Sequence, residues 1–275
     1  MVLCEILLIE RSSYYKWVNR IETDEEKLNH ELSQLILEYH DEFKGILGYR
    51  RMTLWINKRN QANYNKKRIR RLMKMMNISS VIRRKRKGYV KVRPEMTAEN
   101  VLNREFKAVN PNDKWLTDVT EFKVIGSRIK LYLSAIFDLY DTSIISHKMS
   151  TFNNNQLANE TFEAAVKKNP NAKPMFHSDR GFQYTNKVFQ KKLTSRSMTV
   201  SMSRVGRCID NGPMESFWGT LKSEMYYLNQ FHDINQLKEA INQYINFYNE
   251  QRYQEKLKGL TPMAYRNQAL NQLNI

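Results

Sequence analysis

KWLTDVTEFKV, residues 114–124, decides the fold of this chain. Its β-branched and aromatic side chains predict a strand. With a period of two, Leu116, Asp118 and Thr120 fall on one face, and Trp115, Thr117, Val119 and Glu121 on the other. Asp118 therefore sits in mid-strand. IGSR, 125–128, is the turn into a second strand, KLYLSAIFDLY (130–140), and TSIISHKMS (142–150) is a third. NQLANETFEAAVKKN, 155–169, is a helix that ends at Asn169-Pro170. KPMFHSD, 173–179, reads as a short buried strand that breaks off at Arg180-Gly181. A helix through NKVFQKKLTS (186–195), a strand at MTVSMS (198–203), a helix within IDNGPMESFWGTLKSE (209–224) and a long helix at INQLKEAINQYINFYNEQ (234–251) complete the series. That order predicts an α/β fold, a mixed sheet with helices on its faces.

Three acids occupy informative places in this order. Asp118 lies inside the first strand, Asp179 ends the strand before Arg180-Gly181, and Glu215 lies in the first turn of a helix. Asn211 or Asp210 would cap that helix, and Pro213 stands near its first position. An acid on a buried strand is costly unless something positive offsets it, and a divalent cation held by several oxygens does so. A lone aspartate at a strand end is an ordinary cap or turn former, the reading given to Asp138, Asp141 and Glu121. Three acids at one strand, one strand end and one helix start are a rarer coincidence.

The helix after residue 211 supports a shared site. Met214, Phe217, Trp218, Leu221 and Met225 form its apolar stripe, while Glu215, Gly219 and Lys222 line a neighbouring face. Gly219 leaves a bare patch between acid and base where a backbone could approach. A carboxylate for metal and an ammonium for phosphate on one helical edge suit a phosphodiester. The plain alternative is an exposed Glu and an exposed Lys with no ligand.

The charge is placed unevenly. The 275 residues carry a formal net charge of +17, yet residues 44–93 alone hold 18 Lys and Arg with no Asp or Glu, so the remainder is close to neutral. An acid-free stretch of this length has no local compensation and points to a polyanion. Within it, Ile69, Leu72, Met73 and Met76 follow helical spacing, with Lys66, Lys67, Arg70, Arg71 and Lys74 on the other faces. Preceded by the apolar set Ile46, Leu47, Tyr49, Leu54, Trp55 and Ile56, this predicts a helix-turn-helix whose second helix lies along a major groove. Arg50, Arg51, Lys67, Arg70, Arg71 and Lys74 are its candidate DNA contacts, and RRKRKGYVKVR, 83–93, reads as an extended basic tether. Upstream, residues 24–43 predict one amphipathic helix opened by Thr23 or Asp24.

An anionic membrane is a poor match for that charge. MVLCEILLIE is far shorter than the roughly 20 residues a spanning helix needs, and it contains Glu5 and Glu10. It also lacks the basic start and cleavage site of a secretory signal. Two cysteines, Cys4 and Cys208, build neither a disulfide framework nor a multi-cysteine zinc site, so a reducing cytoplasm is the simple expectation.

WLTDVTEF, HSDRGFQYTN and SMSRVGRCIDNGPMESFWGTLKSE resemble the Asp-Asp-Glu core of bacterial insertion-sequence transposases, in particular the two-reading-frame elements whose core is similar to retroviral integrase. Between Asp179 and Glu215 lie 35 residues, and Lys222 follows the glutamate by seven, both as in that family. YINFYNEQRYQEKLKGLTPMAYR is similar to the segment that closes these cores, the basic module resembles their helix-turn-helix, and RSSYYKW looks like the usual start of the second-frame product. Arg180 and Phe182 depart from the pattern, where a polar residue such as Gln and a small residue are expected. The resemblance implies an RNase H-like mixed sheet flanked by helices, the integrase catalytic core, over 108–270, preceded by a small all-α basic module. Together with the acid-free basic run, it divides the chain into an N-terminal helical segment (1–43), the helix-turn-helix module (44–93), a linker (94–107) and the core.

It further implies a DNA transposase that cleaves strands and transfers them, with Asp118, Asp179 and Glu215 as catalytic ligands of two magnesium or manganese ions and Lys222 on DNA. DNA, as element ends and target, would be the partner of a bacterial, DNA-associated cytoplasmic protein. A homo-oligomer assembled on DNA, and the first-frame product or a fused form of it, are further expected partners. His177 would orient Asp179, touch DNA or serve a structural hydrogen bond, and Ser178 has no base in the sequence to activate it. The alternatives are an RNase H-like nuclease without strand transfer and a DNA-binding regulator with an inactive core.

Overall fold

The computed structural model describes residues 2–82, 102, 105–203 and 211–273. The chain divides into two units, residues 1–81 and 82–275.

The first unit is helical. α1 (Val2–Ile6) and α2 (Arg11–Val18) precede α3 (Asp24–Glu42), α4 (Tyr49–Arg59) and α5 (Lys66–Met75). Thr23 opens α3 with a reciprocal capping box: its hydroxyl accepts from the Glu26 N–H, and the Glu26 carboxylate accepts from the Thr23 N–H. Leu32, Ile36 and Tyr39 of α3 are buried, as are Met52, Trp55 and Ile56 of α4 and Ile69, Leu72 and Met73 of α5. The three helices pack on one another in every pairing. Side-chain bonds fix the turn between α4 and α5. Asn57 bonds both backbone groups of Tyr64, at 2.8 and 3.1 Å, and Asn65 caps α5 through the Lys67 N–H at 2.8 Å. Glu42 takes both Arg59 nitrogens, at 2.7 and 2.8 Å, which ties the end of α3 to the end of α4. The basic stretch 83–93 lies outside the described residues.

The second unit is built on a five-stranded sheet: β1 (Lys114–Lys123), β2 (Lys130–Asp138), β3 (Ile144–Ser150), β4 (Met175–Ser178) and β5 (Thr199–Met202), in the order β3-β2-β1-β4-β5. β1, β2 and β3 are antiparallel neighbours, whereas β1/β4 and β4/β5 are parallel. Alternation splits the core in two. Leu116, Leu133 and Phe137 face α9 (Gly212–Glu224) and α10 (Ile234–Glu250). Trp115, Ile136 and Phe176 face α6 (Asn155–Lys168) and α8 (Lys187–Ser195). The mixed sheet with helices on its faces is the one the sequence predicts.

Three segments fold beyond that expectation. α1 and α2 are helices, although no α2 side chain is buried. The run after Asp179 forms a single turn, α7 (Phe182–Thr185), before α8. The tail closes with α11 (Pro262–Leu273), whose period is blurred by the buried Arg266. Nη1 of Arg266 donates to Asp138 (2.8 Å) and Asp141 (2.7 Å), and Nη2 to Asn112 (2.5 Å) and Asn169 (2.9 Å). Asp138 and Asp141 are thus structural acids. Among the described residues no helix is long and apolar enough to cross a membrane.

Removing the guanidinium would leave both carboxylates buried and unpaired. Arg266→Met is expected to destabilise the protein by about 3–5 kcal/mol, read as a lower urea midpoint.

Candidate active site

The parallel pairing of β1 with β4 sets the site. Trp115 lies beside Phe176 and Leu116 beside His177. Carried on by two residues, the same register brings Asp118 level with Asp179 on the same face, one strand spacing of about 4.8 Å apart. Asp179 is the first residue past β4, where the chain leaves the sheet.

α9 brings the third acid. Its stripe of Met214, Phe217, Trp218 and Leu221 is buried on the sheet face that carries Leu116, and its first turn lies beside Thr117, in the middle of β1. Glu215 projects from that turn and is exposed. Asn211 is the N-cap residue, but its side chain does not cap the helix. Its amide instead donates to the Thr117 carbonyl at 3.1 Å.

Asp118 answers to all of these neighbours. Oδ2 accepts the Trp218 indole N–H at 3.0 Å, and Oδ1 accepts the Val119 N–H at 2.8 Å. Burial and the charge of Asp179 push its carboxyl up to about 6, Glu215 adds to the rise, and the two hydrogen bonds oppose it. Asp179 is held by the Gly181 N–H at 2.9 Å. At Gly181 a Cβ would stand 2.6 Å from Gln183 Oε1 and 3.0 Å from Asp179 Oδ1, so this turn has no room for a side chain.

Lys222 is half-buried, with Nζ 5.3 Å from the centre of the Phe122 ring. Burial lowers its pKa, while Glu121 and Asp118 pull it back up. Gly219 has open space where a Cβ would be, so the bare patch on this edge exists. His177 is spent on the sheet: Nδ1 meets Ser201 at 2.9 Å and Nε2 meets Ser203 at 3.1 Å. Arg180 donates to the Ser203 carbonyl at 3.0 Å, and Phe182 is 55% exposed beside the Asp179 turn.

In the helical unit, Lys67, Arg70, Arg71 and Lys74 stand exposed on α5. Arg70 lies over the Tyr49 ring, 5.4 Å from its centre. Arg50 is exposed, whereas Arg51 turns inward and donates to the Ile46 carbonyl at 2.7 Å.

The pocket fits a hard divalent cation. Its donors are oxygens, its charge is an excess of carboxylates, and Asn211 Oδ1 is buried with no hydrogen-bond partner among the described residues. No three His, Cys, Asp or Glu side chains among the described residues close into a metal cage, so the acids are neighbours rather than a finished shell. The sequence did not disclose the parts of Trp218 and Asn211. The signal was present in Trp218, because a buried indole N–H requires an acceptor.

Two models described as integrase core domain match residues 108–208 and 215–270, and one described as HTH-like domain matches 27–86. The chain is 41% identical over 261 residues to the putative transposase InsK of insertion sequence element IS150 from Escherichia coli K12, covering 94% of this chain and 90% of that protein. It is 32% identical to the 31 kDa protein of insertion element IS600 from Shigella sonnei, with 96% and 97% covered. A solved structure of a simian T-cell lymphotropic virus intasome with a PP2A regulatory subunit shares the fold at a TM-score of 0.50 and 18% identity, over 86% of this chain and 74% of that one.

Unfolded, the Asp118 carboxyl titrates near its ordinary value of about 4; folded, it titrates near 6. The charge that folding disfavours is absent below pH 4 and complete above 6, a cost of roughly 3 kcal/mol. Asp118→Asn is therefore expected to be more stable than the parent at pH 7 and no more stable at pH 4. Urea unfolding at both pH values checks this, and a divalent cation should narrow the gap at pH 7.

Proposed function

This chain belongs to the transposases of bacterial insertion sequences that carry an integrase core, and on that footing we propose that Asp118, Asp179 and Glu215 carry its chemistry. The enzyme is a polynucleotidyl transferase: it cuts a DNA strand and joins it elsewhere during transposition. One observation supports the residue assignment above the rest. The Asp118 carboxyl is lifted by burial and by the charges of two acids that lie 61 and 97 positions further along the chain.

The three carboxylates are the candidate holders of magnesium or manganese, two ions in this proposal. When bound, these supply Lewis-acid activation of the attacking oxygen and offset charge on the leaving one. The chain's own groups prepare the pocket. The Trp218 indole and the Val119 N–H fix the Asp118 carboxylate, and the Gly181 N–H fixes that of Asp179. Open space at Gly219 gives a DNA backbone access to the Glu215 edge. The Lys222 ammonium, half-buried and attracted by Asp118 and Glu121, is placed for a phosphate. Covalent serine chemistry is no part of this, because the neighbouring His177 is committed to Ser201 and Ser203.

The helical unit supplies DNA binding in this proposal, with α5 in the major groove and Lys67, Arg70, Arg71 and Lys74 toward phosphates and base edges. Arg50 joins them, and Arg51, bonded inward, supports the helix start. Residues 94–107 link this module to the core at 108–270. Joining two element ends at one target needs two active centres, so more than one copy is expected on DNA. The first-frame product or a fused form is a further companion in this proposal, in a bacterial cytoplasm.

The deciding experiment incubates the full chain with DNA from the element's ends. Cut and joined products are expected with magnesium or manganese, and none with chelator. Asp118→Asn and Glu215→Gln should each abolish both products while DNA binding persists. Joining that survives in chelator refutes the metal assignment, and cutting without joining identifies a plain nuclease. Replacing Lys67, Arg71 and Lys74 by Ala should weaken binding to all sequences alike. It should also flatten the slope of log affinity against log salt by about 0.9 for each phosphate that the variant no longer neutralises.

A further inference from the structure

We infer that Thr117 is a positioning residue that holds the three acid-bearing elements together, a role that rests on the assignment of Asp118, Asp179 and Glu215 above. Thr117 points to the face of β1 opposite Asp118 and is 2% exposed. A strand position so deeply buried is ordinarily Val or Ile, and a hydroxyl there requires partners. Thr117 has two. Oγ1 donates its single proton to the Ala135 carbonyl on β2 at 3.1 Å. The 3.1 Å contact with the Tyr184 hydroxyl must therefore run from Tyr184 to Thr117.

Tyr184 belongs to α7, the turn that begins three residues after Asp179. Its bond closes the Asp179 turn onto β1. The Thr117 backbone carbonyl accepts the Asn211 amide, four residues before Glu215. The next residue along β1, Asp118, accepts the Trp218 indole, three residues after Glu215. Adjacent positions on one strand thus bind the Asp179 turn once and the Glu215 helix twice, on either side of its acid. Like charges in one pocket push these elements apart, and the ties at Thr117 oppose that movement. The hydroxyl, without touching an ion, sets how closely the acids approach.

Thr117→Val deletes the hydroxyl and keeps the shape, the strand preference and the backbone carbonyl. Thr117→Ser keeps the hydroxyl, and Tyr184→Phe removes the other half of the bond. Manganese binding to the full chain without DNA, followed by electron paramagnetic resonance of the free ion, reads the pocket independently of catalysis. Thr117→Val and Tyr184→Phe are each expected to weaken manganese binding roughly tenfold, with a matching fall in joining rate at saturating DNA and unchanged KM for DNA. Thr117→Ser should restore both, and the double variant should be no worse than either single one, since the same bond is removed in each. Parent-like manganese binding in both Thr117→Val and Tyr184→Phe overturns the inference, as does Thr117→Ser behaving like Thr117→Val. Asp118→Asn is run alongside. If it too binds manganese like the parent, the carboxylate assignment fails; if it loses binding while Thr117→Val and Tyr184→Phe keep it, only the role of Thr117 fails.

Discussion

Repulsion among carboxylates is the constraint around which the catalytic unit is organised. Two unit charges about 5 Å apart at an effective dielectric near 20 oppose each other by roughly 3 kcal/mol, and Asp118 bears the charges of both Asp179 and Glu215. Such an arrangement persists only if no element can move to relieve it. β1 and β4 are locked by parallel pairing, which leaves Asp179 at a strand end fixed in register with Asp118. α9 is locked by Met214, Phe217, Trp218 and Leu221 in the core, so the backbone that carries Glu215 cannot move away without exposing them. The stability of the packed layers is thereby spent on keeping negative charge concentrated.

The other buried acids of this unit are treated in the opposite way. Asp138 and Asp141 share Arg266, and Glu224 receives two nitrogens of Arg252, at 2.8 and 3.0 Å, with the Tyr244 hydroxyl at 2.9 Å. These acids have a permanent cation and serve as joints, one fastening α11 to the sheet end and the other fastening α9 to the end of α10. Asp118 and Asp179 form no ion pair with Lys or Arg among the described residues; N–H groups are their donors. An N–H dipole orients a carboxylate and leaves its charge available. This distinction, fixed cation against neutral donor, separates Asp138, Asp141 and Glu224 from Asp118 and Asp179.

Much of this was legible in the sequence because it depends on period and punctuation. The alternation around Asp118, the Asn-Gly-Pro entry into α9 and the apolar rows of α3 and α5 each gave the correct element. The rest depends on partners distant in the chain. That Trp218 is a donor as well as a core residue requires knowing that Asp118 lies opposite. The inward turn of Arg51 and the neutralising of Asp138 by Arg266 are likewise tertiary facts. α11 is not legible in the sequence because Arg266 sits where its apolar stripe should continue, nor is α2, because exposed Trp17 and Val18 give it no core to face. His177 shows the reverse case: three roles were open in the sequence, and two serines, Ser201 on β5 and Ser203 just past it, decide for the structural one.

Parallel strands cannot be joined by a tight turn, and here the connection from β1 to β4 runs through β2, β3 and α6 before the two aspartates can meet. Glu215 comes later still in the chain, on a helix that packs against the same sheet. A nascent polypeptide emerging from the ribosome thus cannot bring the three candidate ligands together until most of its length has been translated. The long-range topology acts as a timer: an incomplete copy of the polypeptide lacks at least one of the candidate ligands until synthesis has passed residue 215.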